Sequence, residues 1–233
     1  KKGKIDAQRG RLFTRLIKEI TVAARDGGGD LNSNARLRTA VASARGQNMP
    51  QDNITRAIKK GTGELPGVNY EDVLYEGYGP GGVAIMIEAL TDNKNRTTPE
   101  IRHILSKYNG NLGANGCVAW MFEKKGLITV SKEQANEDQL LELLLDAGVD
   151  DIEIHGDEFS ITVDPSALED AKTVLIENNI EMISSEITMV ANTTKELEGK
   201  ELETMMKIMD ALDEQEDVQK IHTNADFKEE FDD

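Results

Sequence analysis

The sequence predicts an α+β protein of three domains: an N-terminal three-helix domain and two α+β sandwich-like domains, the third inserted in the second. Residues 1–60 repeat apolar side chains at the helical period, whereas shorter β-rich runs alternate with helices after residue 66. Charge divides the chain at the same place. Residues 1–66 hold 14 Lys and Arg against 6 Asp and Glu, while residues 67–233 hold 13 against 37.

Composition indicates a globular protein. The chain of 233 residues is 38% hydrophobic and 30% charged, and its single cysteine excludes an internal disulfide framework and favours a reducing compartment. No apolar run approaches the roughly 18 residues of a spanning helix, and no signal peptide is visible. We therefore predict a soluble, cytoplasmic protein with no membrane partner. Because the chain starts at Lys1, we expect further residues before it.

The first helix is predicted over about residues 6–25 and carries a cationic face. Its apolar positions share one side, and the Gly-rich run at residues 27–29 ends it. Arg11, Arg15, Lys18 and Arg25 lie on the opposite side. A solvated surface would explain such a face in a lone helix. No Asp or Glu shares this face, however, which favours a binding surface.

Two shorter helices are predicted over residues 35–46 and 51–60, separated by a Gly- and Pro-containing turn. Arg38 and Arg45 face outward from the first, and Arg56, Lys59 and Lys60 face outward from the second. Three short helices with a tight turn resemble helix-turn-helix architecture. Many helical bundles bind nothing, so charge is the stronger argument for a nucleic-acid partner.

The middle segment is predicted as a linker followed by strands. Residues 61–69 form the linker, and strands over residues 73–78 and 83–90 enclose a Gly-Pro-Gly-Gly hairpin turn. A phosphate-binding loop is the alternative, but neither a following Lys-Ser/Thr nor a GxGxxG helix start is present. A polar loop over residues 91–96 leads to a helix over residues 98–108. Strands at 117–122 and 127–130 follow, with Trp120 and an inert Cys117 among apolar neighbours.

The third segment is strongly acidic, because residues 130–233 hold 7 Lys and Arg against 30 Asp and Glu. Its order of helix, two strands, helix and strand over residues 138–190 predicts a helix-covered antiparallel sheet. A helix over residues 199–212 and a strand over 218–223 then fold back to complete the middle domain, and an acidic tail follows. The predicted domains are residues 1–66, residues 67–130 with 191–233, and the inserted residues 131–190.

Motifs for catalysis and metal binding are missing from the sequence. The three histidines are far apart, and no GxSxG, HExxH or Walker pattern occurs. We predict a protein that is not an enzyme, with no catalytic residue, metal site, cofactor or small-molecule substrate.

Several stretches together resemble the YebC/PmpR family, which includes mitochondrial translational activators of cytochrome oxidase. They are residues 11–20 (RLFTRLIKEI), 48–50 (NMP) with 53–54, 60–63, 75–82 (YEGYGPGG), 89–93 (ALTDN) with 95–97, and 120–122 with 125–126. The resemblance implies three domains with the third inserted in the second. It also implies a cytoplasmic DNA-binding transcriptional regulator or a translation factor acting at the ribosome. The Gly-His-Ser-Lys-Trp start typical of the family is absent.

The sequence therefore predicts a nucleic-acid-binding regulator of gene expression. The candidate phosphate contacts are Arg9, Arg11, Arg15, Lys18, Arg25, Arg38, Arg45, Arg56, Lys59 and Lys60. On DNA the third helix would enter the major groove, with Arg56 positioned to read guanine. On ribosomal RNA, shape and phosphate contacts would dominate. Two rival hypotheses are a ribosome-associated translation factor and an adaptor whose acidic half binds a protein. A further hypothesis is that the acidic half inhibits the basic one.

Overall fold

The computed structural model describes the backbone of residues 2–227 and the side chains of residues 7–227. The predicted acidic tail after residue 228 lies outside the described residues. The helices are α1 (Lys2–Gly27), α2 (Ala35–Gly46), α3 (Gln51–Gly61), α4 (Lys94–Lys107), α5 (Glu137–Leu144), α6 (Leu168–Glu177) and α7 (Gly199–Glu214). The strands are β1 (Glu71–Tyr78), β2 (Ala84–Thr91), β3 (Asn111–Leu112), β4 (Phe122–Ser131), β5 (Val149–His155), β6 (Glu158–Val163), β7 (Met182–Ala191), β8 (Lys195–Glu196), β9 (Val218–Thr223) and β10 (Ala225–Asp226).

The fold is α+β, as predicted, and its contacts divide the chain into two compact units. The first unit contains the chain up to Ala119 and from Lys195 onward, so the helical region and the central sheet belong to one unit. The second unit is the inserted segment Trp120–Thr194. None of the described helices has the length and apolar character needed to cross a membrane.

In the first unit, α2 and α3 both pack on α1. Their shared core is formed mainly by aliphatic side chains, including Ile20, Leu37, Val41 and Ile54. The Asn34 side chain caps α2 by accepting from the Leu37 N–H at 3.0 Å, and it donates to the Ala23 carbonyl at 2.7 Å. One amide therefore fixes the start of α2 against the end of α1.

Gly61 allows α3 to approach α1 closely. A Cβ at this position would lie 2.3 Å from the Thr21 carbonyl oxygen and 2.7 Å from the Ala24 Cβ. We expect Gly61→Ala to lower the free energy of unfolding by about 1–3 kcal/mol, because overpacking forces the helices apart. Urea denaturation measures this loss. The control is Gly46→Ala, whose Cβ would meet no atom within 4 Å. Equal stabilities for the two variants would contradict the close approach.

The central sheet has the strand order β3-β1-β2-β9. The predicted hairpin is confirmed, since β1 and β2 pair antiparallel from Glu71 opposite Thr91 to Tyr78 opposite Ala84. Strand β9 pairs antiparallel with β2, and the buried residues of α7 join those of α4 in one core. Residues 199–223 therefore fold back onto the central sheet.

Helix α4 begins earlier than predicted. Residues 94–97, predicted as part of a polar loop and its junction, form the first turn of the helix. The Asn93 side chain accepts from the Arg96 N–H at 3.2 Å, so Asn93 caps a helix that contains Pro99 in its interior. The prediction placed Pro99 in the first turn because proline is common there. The helix instead begins one turn earlier, where the Asn93 side chain caps it.

The second unit has the sheet order β5-β6-β4-β7, and its core lies between this sheet and helices α5 and α6. The strand predicted at 127–130 is confirmed as part of a longer strand, but the strand predicted at 117–122 and the turn predicted at 124–126 were wrong. Residues 122–131 form one strand that pairs with both β6 and β7, so it belongs to the inserted sheet. The inserted unit is therefore longer than the predicted 131–190. Gly126 lies within this strand, where a Cβ would be 3.1 Å from Leu168 of α6.

Candidate nucleic-acid interface

Helices α2 and α3 expose a group of cationic side chains that we call the basic α2–α3 face. Its members are Arg38, Arg45, Arg56, Lys59 and Lys60. Arg38 donates to the carbonyls of Leu31 and Asn32 at 2.8 and 3.3 Å. Within the described part of the chain, no carboxylate forms an ion pair with any member. These five charges therefore remain available to an external anion.

The geometry of α3 concentrates this charge. Ile54 and Ala57 are buried toward α1, and Arg56, Lys59 and Lys60 occupy the opposite, exposed side. Two of the three cations lie in the last turn, where the helix dipole also favours positive charge. Three cationic side chains on two turns give a dense field for a phosphate backbone.

The cationic face of α1 is not solvent-exposed as predicted. Lys18 is buried, and Arg15 and Arg25 bond to other parts of the first unit. Arg15 donates to the Asp213 carboxylate at 2.8 Å, and Arg25 donates to the Asn69 side chain at 2.8 Å and to the Tyr70 carbonyl. This face packs against the central part of the unit. The prediction that the face is turned to solvent was wrong for Lys18 and Arg15, because their carboxylate partners, Asp217 and Asp213, lie almost two hundred residues away in sequence. Arg25 remains exposed and also pairs with the neighbouring Asp26.

Lys18 belongs to a buried polar cluster that we call the Asp217 network: Lys18, Arg96, Thr97 and Asp217. The Asp217 side chain is 1% exposed and accepts from Lys18 at 2.8 Å, Arg96 at 2.8 Å and Thr97 at 2.6 Å. Lys18 also donates to the Glu216 carbonyl at 2.9 Å. One carboxylate thus joins α1 to α4 and to the turn before β9.

The electrostatics of this network favour the charged carboxylate. Burial alone would raise the pKa of Asp217, but the hydrogen bonds from Arg96, Lys18 and Thr97 outweigh burial and hold that pKa well below its usual range. Asp217 is therefore ionised throughout the physiological pH range. Its charge is matched inside the protein, so Lys18 has no free charge to offer a phosphate.

Arg9 and Arg11, the other two predicted contacts, lie near the start of α1. The Arg9 guanidinium is 5.2 Å from the centroid of the Phe13 ring, and its side chain is exposed. Arg11 is half-buried and lines a polar groove of about 250 Å³ with Asp210 and Asp213 of α7. Arg9 is thus open to solvent, whereas Arg11 faces an acidic helix end.

Both family-like motifs of the middle segment have structural roles. Residues 89–97 supply Arg96 and Thr97 to the Asp217 network. Residues 75–82 supply Glu76, whose buried carboxylate accepts the backbone N–H groups of Gly116, Val118 and Ala119 at 2.6–2.9 Å. Neither motif presents a catalytic constellation, and in the described residues no group of three or more His, Cys, Asp or Glu side chains could hold a metal ion.

One exposed aromatic residue was missed by the sequence reasoning. Trp120 was predicted to lie in a strand among apolar neighbours, but it occupies a short 3₁₀ turn and is 73% exposed. A signal was present in the sequence. Residues 109–121 contain no charged side chain in a chain that is 30% charged, and they are rich in Gly and Asn. Such a composition is typical of a loop.

Comparison with known proteins identifies relatives along the whole chain. Residues 1–64 match the model of the TACO1/YebC protein N-terminal domain, and residues 70–225 match that of the TACO1/YebC second and third domain. A probable transcriptional regulatory protein of Desulforapulum autotrophicum is 58% identical over 99% of this chain and 93% of its own length. One of the same description from Geobacter sulfurreducens is 52% identical over 99% of this chain and 93% of its own.

A solved structure shares the fold. A conserved hypothetical protein from Aquifex aeolicus superposes with a TM-score of 0.84 at 44% identity, covering 99% of this chain and 96% of its own. Domain models and relatives thus agree over both compact units. The chain belongs to the TACO1/YebC family.

Proposed function

We propose that this chain is a nucleic-acid-binding regulator of gene expression that acts as a DNA-binding transcriptional regulator without enzymatic activity. The observation that carries the proposal is the basic α2–α3 face, whose five exposed cations have no carboxylate partner in the described residues. The relatives named probable transcriptional regulatory proteins support a regulatory role. A cytoplasmic location suits this activity.

The proposed binding mode follows from the chemistry of the face. Arg and Lys neutralise phosphates and release counterions, so affinity falls steeply with added salt. Helix α3 would lie in the major groove, and Arg56 would donate to a guanine edge while Lys59 and Lys60 hold phosphates. The acidic remainder of the chain weakens non-specific binding, because it repels the same backbone.

A ribosome-associated translation factor is the second candidate. It is favoured by the charge of the inserted unit, whose residues 120–194 hold 4 Lys and Arg against 17 Asp and Glu. A net charge of −13 suits basic ribosomal proteins, while the basic α2–α3 face would hold phosphates of ribosomal RNA.

A partition experiment separates the two candidates. At near-physiological salt, we expect the protein to be retained on promoter DNA and to remain in the supernatant when ribosomes are sedimented. Co-sedimentation with ribosomes and no retention on DNA would favour the translation factor instead. Failure to bind either would contradict both candidates and leave the adaptor hypothesis.

A further inference from the structure

The segment that follows α3 exposes apolar side chains next to the basic α2–α3 face. We call residues 62–69 the post-α3 segment; they lie in no helix or strand, and all of them are exposed. Leu65 is 38% exposed, Val68 is 51% exposed, and the exposed Pro66 follows Leu65 directly. Apolar side chains grouped in this way, rather than scattered singly, indicate a contact surface.

The post-α3 segment is held against the cationic side of α3. The Leu65 N–H donates to the Lys59 carbonyl at 3.0 Å. Gly67 lies against Lys60, since a Cβ added to this glycine would be 3.1 Å from the Lys60 Cβ and 3.4 Å from the Lys60 carbonyl oxygen. The two apolar residues on either side of Gly67 therefore lie beside this lysine.

The other end of the post-α3 segment is attached to α1. Arg25 donates to the Asn69 side chain at 2.8 Å and to the Tyr70 carbonyl. The Lys18 ammonium lies 5.3 Å from the centroid of the Tyr70 ring. Both ends of the segment are thus bonded to the helical part of the first unit. A ligand that contacts the apolar residues need not order this backbone first, which removes part of the entropic cost of binding.

The charges beside the post-α3 segment favour a polyanion. In the described part of the chain, Lys59 and Lys60 form no ion pair with a carboxylate. The segment itself contains one carboxylate, Glu64, which accepts from the Thr62 hydroxyl at 3.1 Å. Two free cations against one carboxylate leave this surface positive, which favours a phosphate backbone over an uncharged apolar partner.

The position of the segment beside Lys60 places it at the edge of a groove. In the proposed binding mode α3 lies in the major groove, and Lys60 holds a phosphate one helical turn from Arg56. The phosphate backbone separates the major groove from the adjacent minor groove. Apolar residues that lie beside Lys60 therefore reach the edge of the minor groove. Leucine and proline are among the side chains that proteins insert between base steps from this groove.

We propose that Leu65, Pro66 and Val68 form an apolar wedge that enters the minor groove and kinks the duplex. This inference rests on the proposed DNA binding and adds an activity to it. Insertion of the wedge partly unstacks one base step and bends the duplex toward the major groove by about 20–90°. Because α3 occupies the major groove, the bend brings more of the duplex toward the basic α2–α3 face, and the added phosphate contacts offset the cost of unstacking.

Resonance energy transfer between dyes at the two ends of a duplex measures the bend. The probe is a duplex of about 30 base pairs with a central TA step, because pyrimidine–purine steps kink easily. We expect saturation with the full chain to raise the transfer efficiency. The double variant Leu65→Ala, Val68→Ala keeps every charge. We expect it to bind about tenfold more weakly and to leave the saturated duplex nearly straight.

A matched control variant removes exposed apolar side chains elsewhere in the first unit. Leu74 and Met206 are 42% and 56% exposed, and their joint replacement by alanine is expected to leave the bend and the affinity unchanged. The slope of log K against log salt is expected to be the same for the wild type and the wedge variant, since neither loses a cation. Circular dichroism establishes that the variants are folded.

A mismatched duplex provides a second measurement that needs no bend in the probe. Two central mismatches weaken stacking, so less energy is needed to insert the wedge. We expect the mismatches to strengthen binding of the wild type about fivefold and to leave binding of the wedge variant unchanged. Anisotropy titrations at near-physiological salt measure these affinities.

The outcomes separate this inference from the proposed function. A straight duplex at saturation, or equal bends with the wild type and the wedge variant, would overturn the wedge and leave the phosphate contacts intact. A dimer in solution that becomes monomeric in the wedge variant, together with an unbent duplex, would assign the segment to self-association and also overturn the proposal. Failure of the chain to bind any duplex would overturn the proposed function together with this inference.

Discussion

Replacement of Asp217 by alanine is expected to lower the free energy of unfolding by about 3–5 kcal/mol, because it leaves a buried cation without its partner. The Lys18 side chain is 8% exposed and would keep two backbone carbonyls and the face of the Tyr70 ring, but no carboxylate. Arg96 loses the same acceptor but is 43% exposed, so water compensates part of its loss. Urea denaturation with a constant m-value measures the difference.

Two variants control for this result. Asp213→Ala removes the ion pair with Arg15. Because the Asp213 carboxylate is 54% exposed, we expect the free energy of unfolding to fall by less than about 1 kcal/mol. Lys18→Met removes the buried cation and leaves Asp217 bonded to Arg96 and Thr97, so its loss is expected to be smaller than that of Asp217→Ala. Equal losses for Asp217→Ala and Asp213→Ala would contradict a buried network.

The same network predicts a pH dependence. Because the pKa of Asp217 is lowered in the folded state, its stabilisation is fully present above the unfolded value near 4 and is lost as pH falls toward the folded value. We therefore expect the stability difference between the wild type and Asp217→Ala to be constant at neutral pH and to shrink below about pH 4.

Neutralising α3 is expected to weaken nucleic-acid binding by about 100-fold at near-physiological salt. The variant replaces Arg56, Lys59 and Lys60 by glutamine, which removes three exposed charges without touching the buried side of the helix. Loss of three phosphate contacts on duplex DNA should also reduce the slope of log K against log salt by about 2.7. Anisotropy titrations over a range of salt concentrations give both quantities.

A matched control variant removes three positive charges outside the basic α2–α3 face. Lys132, Lys200 and Lys207 are exposed in the acidic part of the chain, and their replacement by glutamine is expected to leave the affinity and the salt slope almost unchanged. A similar loss in both triple variants would mean that net charge governs binding and would contradict a localised interface. Reversal of Arg15 and Lys18 is a poor test of binding, because these residues hold the first unit together.

Much of the local structure could be predicted because it depends on neighbouring residues. The bounds of α2 and β9 match the predicted segments, since each is set by local periodicity and by nearby Gly, Pro or Asn. The errors came from competing local signals. Lys124-Lys125-Gly126 was interpreted as a turn, but these residues lie in β4, where Gly126 pairs with Val163 of β6 and Ile187 of β7. The polar run before Pro99 was interpreted as a loop, but the Asn93 cap starts a helix there.

For the candidate site too, some features could be predicted from the local sequence and others could not. The periodicity of α3 by itself placed Ile54 on one side and Arg56 on the other, because helical geometry fixes which side chains share a face. It placed Lys18 on a cationic face of α1 for the same reason. Only the tertiary structure decided whether each face met solvent or protein, since that depends on residues distant in sequence such as Asp217.

The sequence by itself determined the α+β class, the helical start, the return of the chain end to the central sheet and the division of charge. These features follow from periodicity and composition, and both can be determined from the amino-acid sequence without a structure. The tertiary structure decided which charges are used internally and which remain free. It also showed that Trp120, which was predicted to lie among apolar neighbours, is exposed at the surface. Ion pairs and solvent exposure depend on contacts between residues that are distant in sequence. The energy of an ion pair depends on how deeply it is buried, and burial cannot be predicted from the local sequence pattern.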